Sequence, residues 1–333
     1  MLMIHQFNPD MPPDSEFLPG RLEHLVPGNT GRMLDARRTP VRLAGLRLAA
    51  GFLEVEVLDF EDRGARWELP FESVNSFQFA RDSIEADPDM VALYRAVIAK
   101  LDVPLKIHTD PAARQAAEAR IGAIRTGMSD WLAAESQFFR PGLTLDFTLR
   151  TGPEALQRDL QHYMKSHGLW DIEDSFASRW VSNPYAGEMV KAHSIVLARL
   201  GLVPFDGKQL RDPDRLSGTM DESRRADHIL YRLAFVREAF ERLGHGTLIL
   251  YRGTAFRGCR RRREKGSFVS ATFSLEVAMS MFDDRDGTST GLLIRQPVPC
   301  TRLFMSYLET EQMNRQYSEA EAVLLNDSTR SLF

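Results

Sequence analysis

The chain has 333 residues, of which 43% are apolar and 26% are charged, with a formal net charge of -4 and two cysteines. A length of this order predicts two domains, since most domains hold about 100 to 200 residues. The charge balance provides no overall basic field for nucleic acid, although it is compatible with a local basic patch. The two cysteines, Cys259 and Cys300, are too few and too far apart for a zinc site or a disulfide framework. We therefore expect a reducing compartment and no metal.

The sequence predicts neither a membrane span nor a secretory signal. No apolar run reaches the roughly 18 residues that a bilayer requires. The polar, proline-rich stretch from Met1 to Gly20 lacks the basic and apolar regions of a signal peptide. We therefore expect a soluble, cytoplasmic protein without a membrane partner, while delivery into another cell by a signal-less route would leave no trace in this pattern. The oligomeric state is not predicted.

The N-terminal region reads as β-structure. Apolar and polar residues alternate between Val41 and Phe79, interrupted by a turn sequence at Glu61 to Gly64. This pattern predicts a small antiparallel sheet or barrel, so residues 1–105 are assigned to a β-rich domain. Such a unit serves either as a scaffold or as a docking module for a partner.

The middle of the chain changes to a helical period. Apolar residues recur at helical spacing from Pro111 to Phe139, and we assign residues 106–145 to a helical linker and residues 146–333 to a second domain. Thr144 to Leu149 predicts a short strand, and Asp206 to Asp221 a surface loop. Further helices are predicted over residues 153–168, 187–200 and 229–243, the last with Gly244 at its C′ position. Trp180 and Tyr185 are interpreted as core residues or as the lining of a pocket.

Three signals follow in the last third of the chain. The first is the apolar run Thr247 to Gly253, in which Arg252 stands at the end of a buried strand. A guanidinium in that position needs an anionic partner, either a phosphate or carboxylate ligand or an internal ion pair. The second is a strand that carries hydroxyl groups at Ser270 and Thr272, followed by Ser274 as the N-cap of a helix. Ser270 and Thr272 share one strand face and could meet a polar ligand together.

The third signal is the pair Glu319 and Glu321 at the start of an apolar run that ends at Leu325. If this run is a strand from Glu319 onward, residues two apart share a face and both carboxylates point the same way. Two like charges beside a buried strand are costly unless a cationic ligand or a reaction uses them. A solvated strand end is the alternative interpretation.

These signals together resemble the R-S-E class of mono-ADP-ribosyltransferases, which includes arginine-modifying bacterial toxins and their cellular relatives. The motifs that carry the resemblance are Tyr-Arg-Gly on a strand, Phe-x-Ser-x-Thr before a helix, and Glu-x-Glu before an apolar strand, all between residues 247 and 325. The resemblance extends over roughly residues 150–333. It implies an α+β fold with a split β-sheet core and flanking helices. It also implies NAD as a substrate, with no metal.

The resemblance assigns a role to each matching residue. Arg252 would hold the NAD phosphates and ribose, and Ser270 would order the site around the nicotinamide ribose. Glu321 would be the catalytic glutamate, bonded to the ribose 2′-hydroxyl, and Glu319 would receive the target side chain. Further NAD contacts are implied for the neighbours Tyr251, Gly253 and Thr272 and for Arg285 in the loop after the helix. One departure is visible, because the Ser-Thr-Ser of the class is replaced here by Ser270, Ala271 and Thr272.

The chemistry of these residue types agrees with the implied reaction. A fixed carboxylate stabilises the positive charge that develops on ribose as nicotinamide leaves, and a second carboxylate binds an incoming guanidinium. We therefore predict transfer of ADP-ribose to an arginine of a target protein. Three alternatives stay open. The basic run 257–265 keeps nucleic acid as a possible acceptor, water as the acceptor would make the protein an NAD glycohydrolase, and a catalytically silent binding module is the alternative of another class.

Overall fold

The chain forms two compact units, Met1–Val103 and Pro104–Phe333. The computed structural model describes residues 17–34, 38–48, 51–58, 63–82, 84–101, 103–136, 138–139, 145–147, 149–182, 187–211, 213–256, 266–281, 290–315 and 318–326. The predicted α+β class is confirmed at the level of mixed helices and antiparallel sheets. The two units are taken separately below.

The first unit contains a six-stranded antiparallel sheet with the strand order β1-β6-β2-β3-β4-β5. Its elements are β1 Phe17–Pro19, β2 Thr30–Met33, β3 Pro40–Arg47, β4 Phe52–Val57, β5 Arg66–Pro70, β6 Phe77–Ala80 and helix α1 Met90–Leu101. The predicted alternation is confirmed in β4, where Leu53, Val55 and Val57 are buried and the two glutamates between them are half-buried. This pattern is what an antiparallel sheet with one covered face requires.

The second unit contains a five-stranded antiparallel sheet with the order β11-β9-β10-β13-β12 and a separate two-stranded sheet, β7-β8. The strands are β7 Pro104–Ile107, β8 Phe205–Lys208, β9 Thr247–Phe256, β10 Phe268–Thr272, β11 Thr290–Pro299, β12 Leu303–Ser306 and β13 Glu321–Leu325. The helices are α2 Pro111–Glu135, α3 Glu154–Ser166, α4 Trp170–Ser182, α5 Gly187–Arg199, α6 Glu222–Arg242, α7 Leu275–Ser280 and α8 Gln312–Arg315.

Helix α2, which we predicted within a linker, packs into the core of the second unit. The Asp110 side chain accepts a hydrogen bond from the Ala112 amide at 2.9 Å and begins the helix with proline at its first turn. Its buried stripe of Ala117, Ile121, Met128 and Leu132 joins the same hydrophobic cluster as α6. Residues of α2 therefore belong to this unit by their packing.

Two predictions of local structure were wrong in this unit. The part of the range Thr144 to Leu149 that the structure describes, residues 145–147 and 149, contains no strand. Leu145 and Phe147 pack against the core without joining a sheet, and the Phe147 ring stacks on Phe273 at 5.3 Å between centroids. The predicted loop from Asp206 to Asp221 contains most of β8, which pairs with the distant β7, and two short 3-10 segments. The predicted C′ glycine of α6 is confirmed, because Gly244 has φ +75°.

Strands β9, β10 and β13 lie side by side and set up the candidate site. Thr272 at the end of β10 is paired with Tyr251 of β9 on one side and with Glu321 of β13 on the other. The end of the β9 apolar run, the hydroxyl-bearing strand and the first residue of the acidic strand are thereby brought to one place. The three sequence signals meet because antiparallel pairing aligns them.

Candidate active site

A small cleft of about 160 Å³ opens where β9, β10 and helix α7 meet the start of β13. Arg252, Ser270, Glu319 and Glu321 all line this cleft, although they come from three separate segments of the chain. The cleft is smaller than the roughly 300 to 1,000 Å³ of typical small-molecule pockets. Residues 257–265 and 282–289, which continue the chain after β9 and α7, lie outside the described residues.

Glu321 is held by two neutral hydrogen-bond donors. The Ser270 hydroxyl donates to its Oε1 atom at 2.6 Å, and the indole N–H of Trp180 donates to the same oxygen at 3.2 Å. Trp180 is fixed in turn by an edge contact of its ring with Phe268, at 5.5 Å between centroids. Both donors approach Oε1, so the carboxylate is oriented through one of its two oxygens.

The pKa values of both cleft glutamates are raised. Burial raises the pKa of Glu321, although the hydrogen bonds from Ser270 and Trp180 act in the opposite direction. Burial also raises the pKa of Glu319, and the negative charge of Glu321 raises it further. A carboxylate that is costly to ionise binds a proton or a positive charge more readily than an ordinary surface glutamate does. Such perturbed groups in a cleft are typical of functional sites.

Arg252 is tied to the strand that carries Ser270. Its guanidinium donates to the backbone carbonyl oxygen of Ser270 at 2.5 Å. This contact crosses from β9 to β10 and holds the cation beside the residue that orients Glu321. The cleft therefore presents a guanidinium, a hydroxyl and the Glu321 carboxylate on three adjacent strands, with the Glu319 carboxylate just before β13.

Glu319 reaches the cleft by a route that the sequence did not predict. Strand β13 begins at Glu321, and the preceding Ala320 has φ +46°, in the left-handed region that non-glycine residues rarely adopt. The prediction that both glutamates share a strand face was therefore wrong, because strand alternation does not extend through this corner. Glu319 lines the cleft from the irregular segment before β13, on the far side of the left-handed residue Ala320.

Thr272 holds that corner in place. Its hydroxyl donates to the Glu319 carbonyl oxygen at 2.6 Å and accepts from the Ser274 amide at 3.0 Å. The hydroxyl is thus used within the protein, although the residue lines the cleft. Thr272 fixes the backbone between the two glutamates, a role that was not apparent from the sequence.

Gly253 provides the space for helix α7. A Cβ atom at this position would lie 1.8 Å from the carbonyl oxygen of Ala278, so any larger residue would displace the helix from β9. The predicted N-cap of α7 is confirmed, because the Ser274 hydroxyl accepts from the Val277 amide at 3.3 Å. The glycine of the Tyr-Arg-Gly motif therefore serves helix packing that shapes one wall of the cleft.

Of the remaining residues that the sequence analysis singled out, some are placed by the structure and others lie outside its described part. Tyr251 is half-buried and is not among the residues that line the cleft. Arg285, Tyr185 and the basic run 257–265 lie outside the described residues. Trp180, which we interpreted as a core or pocket residue, contacts Glu321 directly. No cluster of His, Cys, Asp and Glu side chains suited to a metal ion occurs in the described part of the chain, and no helix within it has the length and apolar character to cross a membrane.

A second acidic group lies buried away from the cleft. Arg232 of α6 donates to Glu173 of α4, to Glu309 at 3.0 Å and to the Thr310 hydroxyl at 2.7 Å. His228 bonds the other oxygen of Glu173 at 2.8 Å. Burial alone would raise the pKa of Glu173, but Arg232 and His228 bring it down to about 2. Glu309 shares the same guanidinium, and burial leaves its pKa raised.

Comparison of the chain with protein-family models, curated proteins and solved structures finds no match.

Proposed function

We propose that the second unit is a mono-ADP-ribosyltransferase that transfers ADP-ribose from NAD to an arginine of a target protein, and that its five-stranded sheet is the split sheet of the R-S-E class. The observation that carries this proposal is the hydrogen bond from Ser270 to Glu321, with Arg252 and Glu319 in the same cleft. Arginine, serine and glutamate are the three residue types of that class. Each comes from its own adjacent strand, β9, β10 and β13.

The residues of the cleft fit the nicotinamide riboside end of NAD. The Arg252 guanidinium is suited to a phosphate oxygen, which it binds by charge-assisted hydrogen bonds. Glu321 is oriented through Oε1 by Ser270 and Trp180, and its Oε2 atom accepts the ribose 2′-hydroxyl in this proposal. NAD as substrate supplies a ribose carbon with a good leaving group, nicotinamide.

Glu321 would act by electrostatic stabilisation. As the bond between the ribose C1′ atom and the nicotinamide nitrogen breaks, the electron pair leaves with nicotinamide and positive charge develops on the ribose. A carboxylate held in a partly buried cleft stabilises this charge more strongly than the same group in water does. The two groups that donate to Glu321, the Ser270 hydroxyl and the Trp180 indole, are neutral, so neither of them cancels the negative charge of Glu321.

Glu319 would bind the acceptor arginine and take up its proton. Its raised pKa makes it a better base than an ordinary glutamate, and it lies in the same cleft as Glu321. In the proposed step the guanidinium nitrogen of the target forms the new bond to C1′, and its proton passes to the Glu319 carboxylate. A carboxylate also binds a guanidinium by two parallel hydrogen bonds, which favours arginine over other acceptors.

The proposal is tested by incubating the full chain with NAD labelled in the adenylate part and with a cell lysate. We expect label on proteins, and mass spectrometry should place ADP-ribose on arginine. The variant Glu321→Gln should abolish the transfer. Glu276→Gln is the matched control, because Glu276 is an exposed glutamate of helix α7 that pairs with Arg150 outside the cleft lining.

Other outcomes would replace the proposal. Label that resists protease and is removed by nuclease would assign the acceptor to nucleic acid. Free ADP-ribose formed at full rate without any macromolecule would assign the activity to NAD hydrolysis. Absence of both transfer and hydrolysis, or transfer that survives Glu321→Gln, would reject the catalytic role of this cleft.

A further inference from the structure

The second unit has another cleft, of about 440 Å³, that contains none of the residues of the candidate active site. Three arginines line it, Arg114 of α2, Arg237 of α6 and Arg302 of the short turn before β12. Glu118 is the one carboxylate in this lining, so the wall carries net positive charge. Positive charge is therefore concentrated at this cleft, although the formal net charge of the whole chain is -4.

One hydrogen-bond donor of Arg237 is not used within the described part of the chain. Its side chain is only 8% exposed, and its two terminal nitrogens bind both oxygens of Glu118 and the Thr301 carbonyl oxygen. The Nε atom of Arg237 is buried and has no hydrogen-bond partner among the described residues. An unsatisfied buried donor is unfavourable, so an acceptor from outside the chain would be stabilised here.

Gln296 contributes a second unsatisfied polar group to the same lining. Its amide oxygen is buried and has no partner among the described residues. The oxygen and nitrogen of an amide are assigned from the surroundings, and a half turn of the amide would present its NH₂ group instead. In that orientation Gln296 also donates to an acceptor in the cleft.

The rest of the lining holds Arg302 in place and restricts the kind of ligand that the cleft can take. Arg302 is 8% exposed, and its Nε–H donates to the carbonyl oxygen of Leu325, which itself lines the cleft. Leu202, Pro297 and Pro299 supply apolar surface. The ligand that suits these walls therefore has an anionic group joined to an apolar body.

The position of the cleft separates it from the candidate active site. Leu325 and Glu321 are the last and first residues of β13, and one lines each cleft. With a rise of about 3.3 Å per residue, the two ends of this strand are about 13 Å apart. A ligand of either cleft can therefore bind without occupying the other.

We propose that this arginine-lined cleft binds a small organic anion, a phosphate or carboxylate group on an apolar body, at a site distinct from the Arg252 cleft. The guanidinium groups of Arg114 and Arg302 supply positive charge beside the anion, and Arg237 Nε and the Gln296 amide supply hydrogen bonds. The inference does not depend on the proposed ADP-ribosyltransferase activity.

Calorimetric titration of the full chain at fixed ionic strength tests the site, with phenyl phosphate, benzoate and inorganic phosphate as probes. We expect phenyl phosphate or benzoate to bind more tightly than inorganic phosphate, because the apolar walls contribute only to the aromatic probes. Arg302→Gln and Arg114→Gln should each weaken that binding about tenfold or more, which corresponds to about 1.4 kcal/mol. Arg114 is exposed, so its variant tests the site even if Arg302→Gln fails to fold.

Two matched arginine variants locate the binding. Arg252→Gln removes the guanidinium of the candidate active site, and Arg242→Gln removes one from α6 that pairs with Glu238 outside the cleft lining. Both should leave the affinity of the aromatic probe unchanged within about twofold. The proposal is overturned if neither aromatic probe binds at about 10 mM. It is equally overturned if Arg114→Gln binds as wild type does, or if Arg252→Gln removes the binding.

Discussion

Two glutamates of the second unit are both withdrawn from water, and their surroundings shift their pKa values in opposite directions. Glu173 is 2% exposed and binds the guanidinium of Arg232 together with His228, and its pKa falls to about 2. Glu321 receives neutral donors, Ser270 and Trp180, and its pKa is raised. The first carboxylate is bound to a guanidinium inside the protein, whereas the hydrogen-bond donors to the second, among the described residues, are neutral.

In the proposed function this difference separates a structural role from a catalytic one. A buried ion pair that satisfies all its hydrogen bonds leaves little affinity for an external ligand, and breaking it destabilises the fold. A carboxylate in a cleft that lacks a cationic partner is stabilised when a positive charge arrives. The contrast predicts that substitutions at Arg232 act on stability, while substitutions around Glu321 act on the proposed activity.

The largest effect is expected for Arg232→Met, which removes the cation between two buried carboxylates. Because Glu173 and Glu309 would be left without their guanidinium, we expect a loss of about 3–5 kcal/mol in the free energy of unfolding. Urea unfolding followed by circular dichroism measures it. Arg120→Met is the control, since Arg120 forms an exposed ion pair with Asp227 and should change stability by less than about 1 kcal/mol. Equal losses in both variants would contradict the assigned role of the buried network.

Acid should weaken the fold through the histidines of the same network. Burial lowers the pKa of His193 well below its usual value, and it also lowers the pKa of His228, which bonds to His193 at 3.2 Å. The unfolded chain therefore takes up protons near pH 6.5 that the folded chain does not bind. Stability is complete above about pH 6.5 and falls below it, by about 1.4 kcal/mol per pH unit for each histidine.

The pH effect is checked by measuring unfolding free energies between pH 5 and pH 8. The groups that face His193 are the guanidinium of Arg225, which donates to its Nδ1 atom at 2.8 Å, and the His228 ring. In His193→Gln the slope below pH 6.5 should become shallower than in wild type. A slope that is identical in the two proteins would show that His193 does not contribute.

Trp180→Phe tests the indole hydrogen bond to Glu321. The phenyl ring keeps apolar contact with Phe268 and Phe176, while the donor to the carboxylate is lost. A hydrogen bond to a charged group contributes about 1.5–3 kcal/mol, so the rate of NAD turnover should fall about tenfold or more. Steady-state kinetics should show the loss in kcat with KM for NAD little changed, and the pH at which activity rises should shift upward. A change in KM alone would contradict a positioning role.

The smallest effect is expected for the stability of Glu321→Gln. Because burial raises the pKa of Glu321, its ionised form is unfavourable in the fold, and a neutral amide of the same shape should not weaken it. The free energy of unfolding at pH 7 should stay within about 1 kcal/mol of wild type or increase. Glu173→Gln is the matched comparison and should lose several times more.

Local sequence patterns were sufficient for several of the elements and for part of the cleft. Three features were predicted because each depends only on residues that are consecutive in the sequence: the apolar run of β9, the hydroxyl-bearing strand β10 and the N-cap at Ser274. Antiparallel pairing of β9, β10 and β13 then brought Arg252, Ser270 and Glu321 together. These contacts needed only correct strands and a correct order.

Other features depend on contacts that no local pattern records. Trp180 meets Glu321 across 141 residues, and Arg232 meets Glu309 across 77. The corner at Ala320 depends on the Thr272 hydroxyl from a neighbouring strand, so strand alternation gave the wrong geometry for Glu319. The strand predicted at Thr144 to Leu149 was wrong for a related reason, because the contact of Phe147 with the distant Phe273 needs no strand pairing.

The central claim is that the two cleft glutamates do different things, and it is tested by measuring nicotinamide release and ADP-ribose transfer to arginine in one reaction. Glu321→Gln should lower both rates together, by about 100-fold to 1,000-fold, because the developing ribosyl charge is no longer stabilised. Glu319→Gln should retain nicotinamide release, with water as the acceptor, and lose transfer to arginine. Equal loss of both rates in Glu319→Gln, or release that persists in Glu321→Gln, would contradict the assignment.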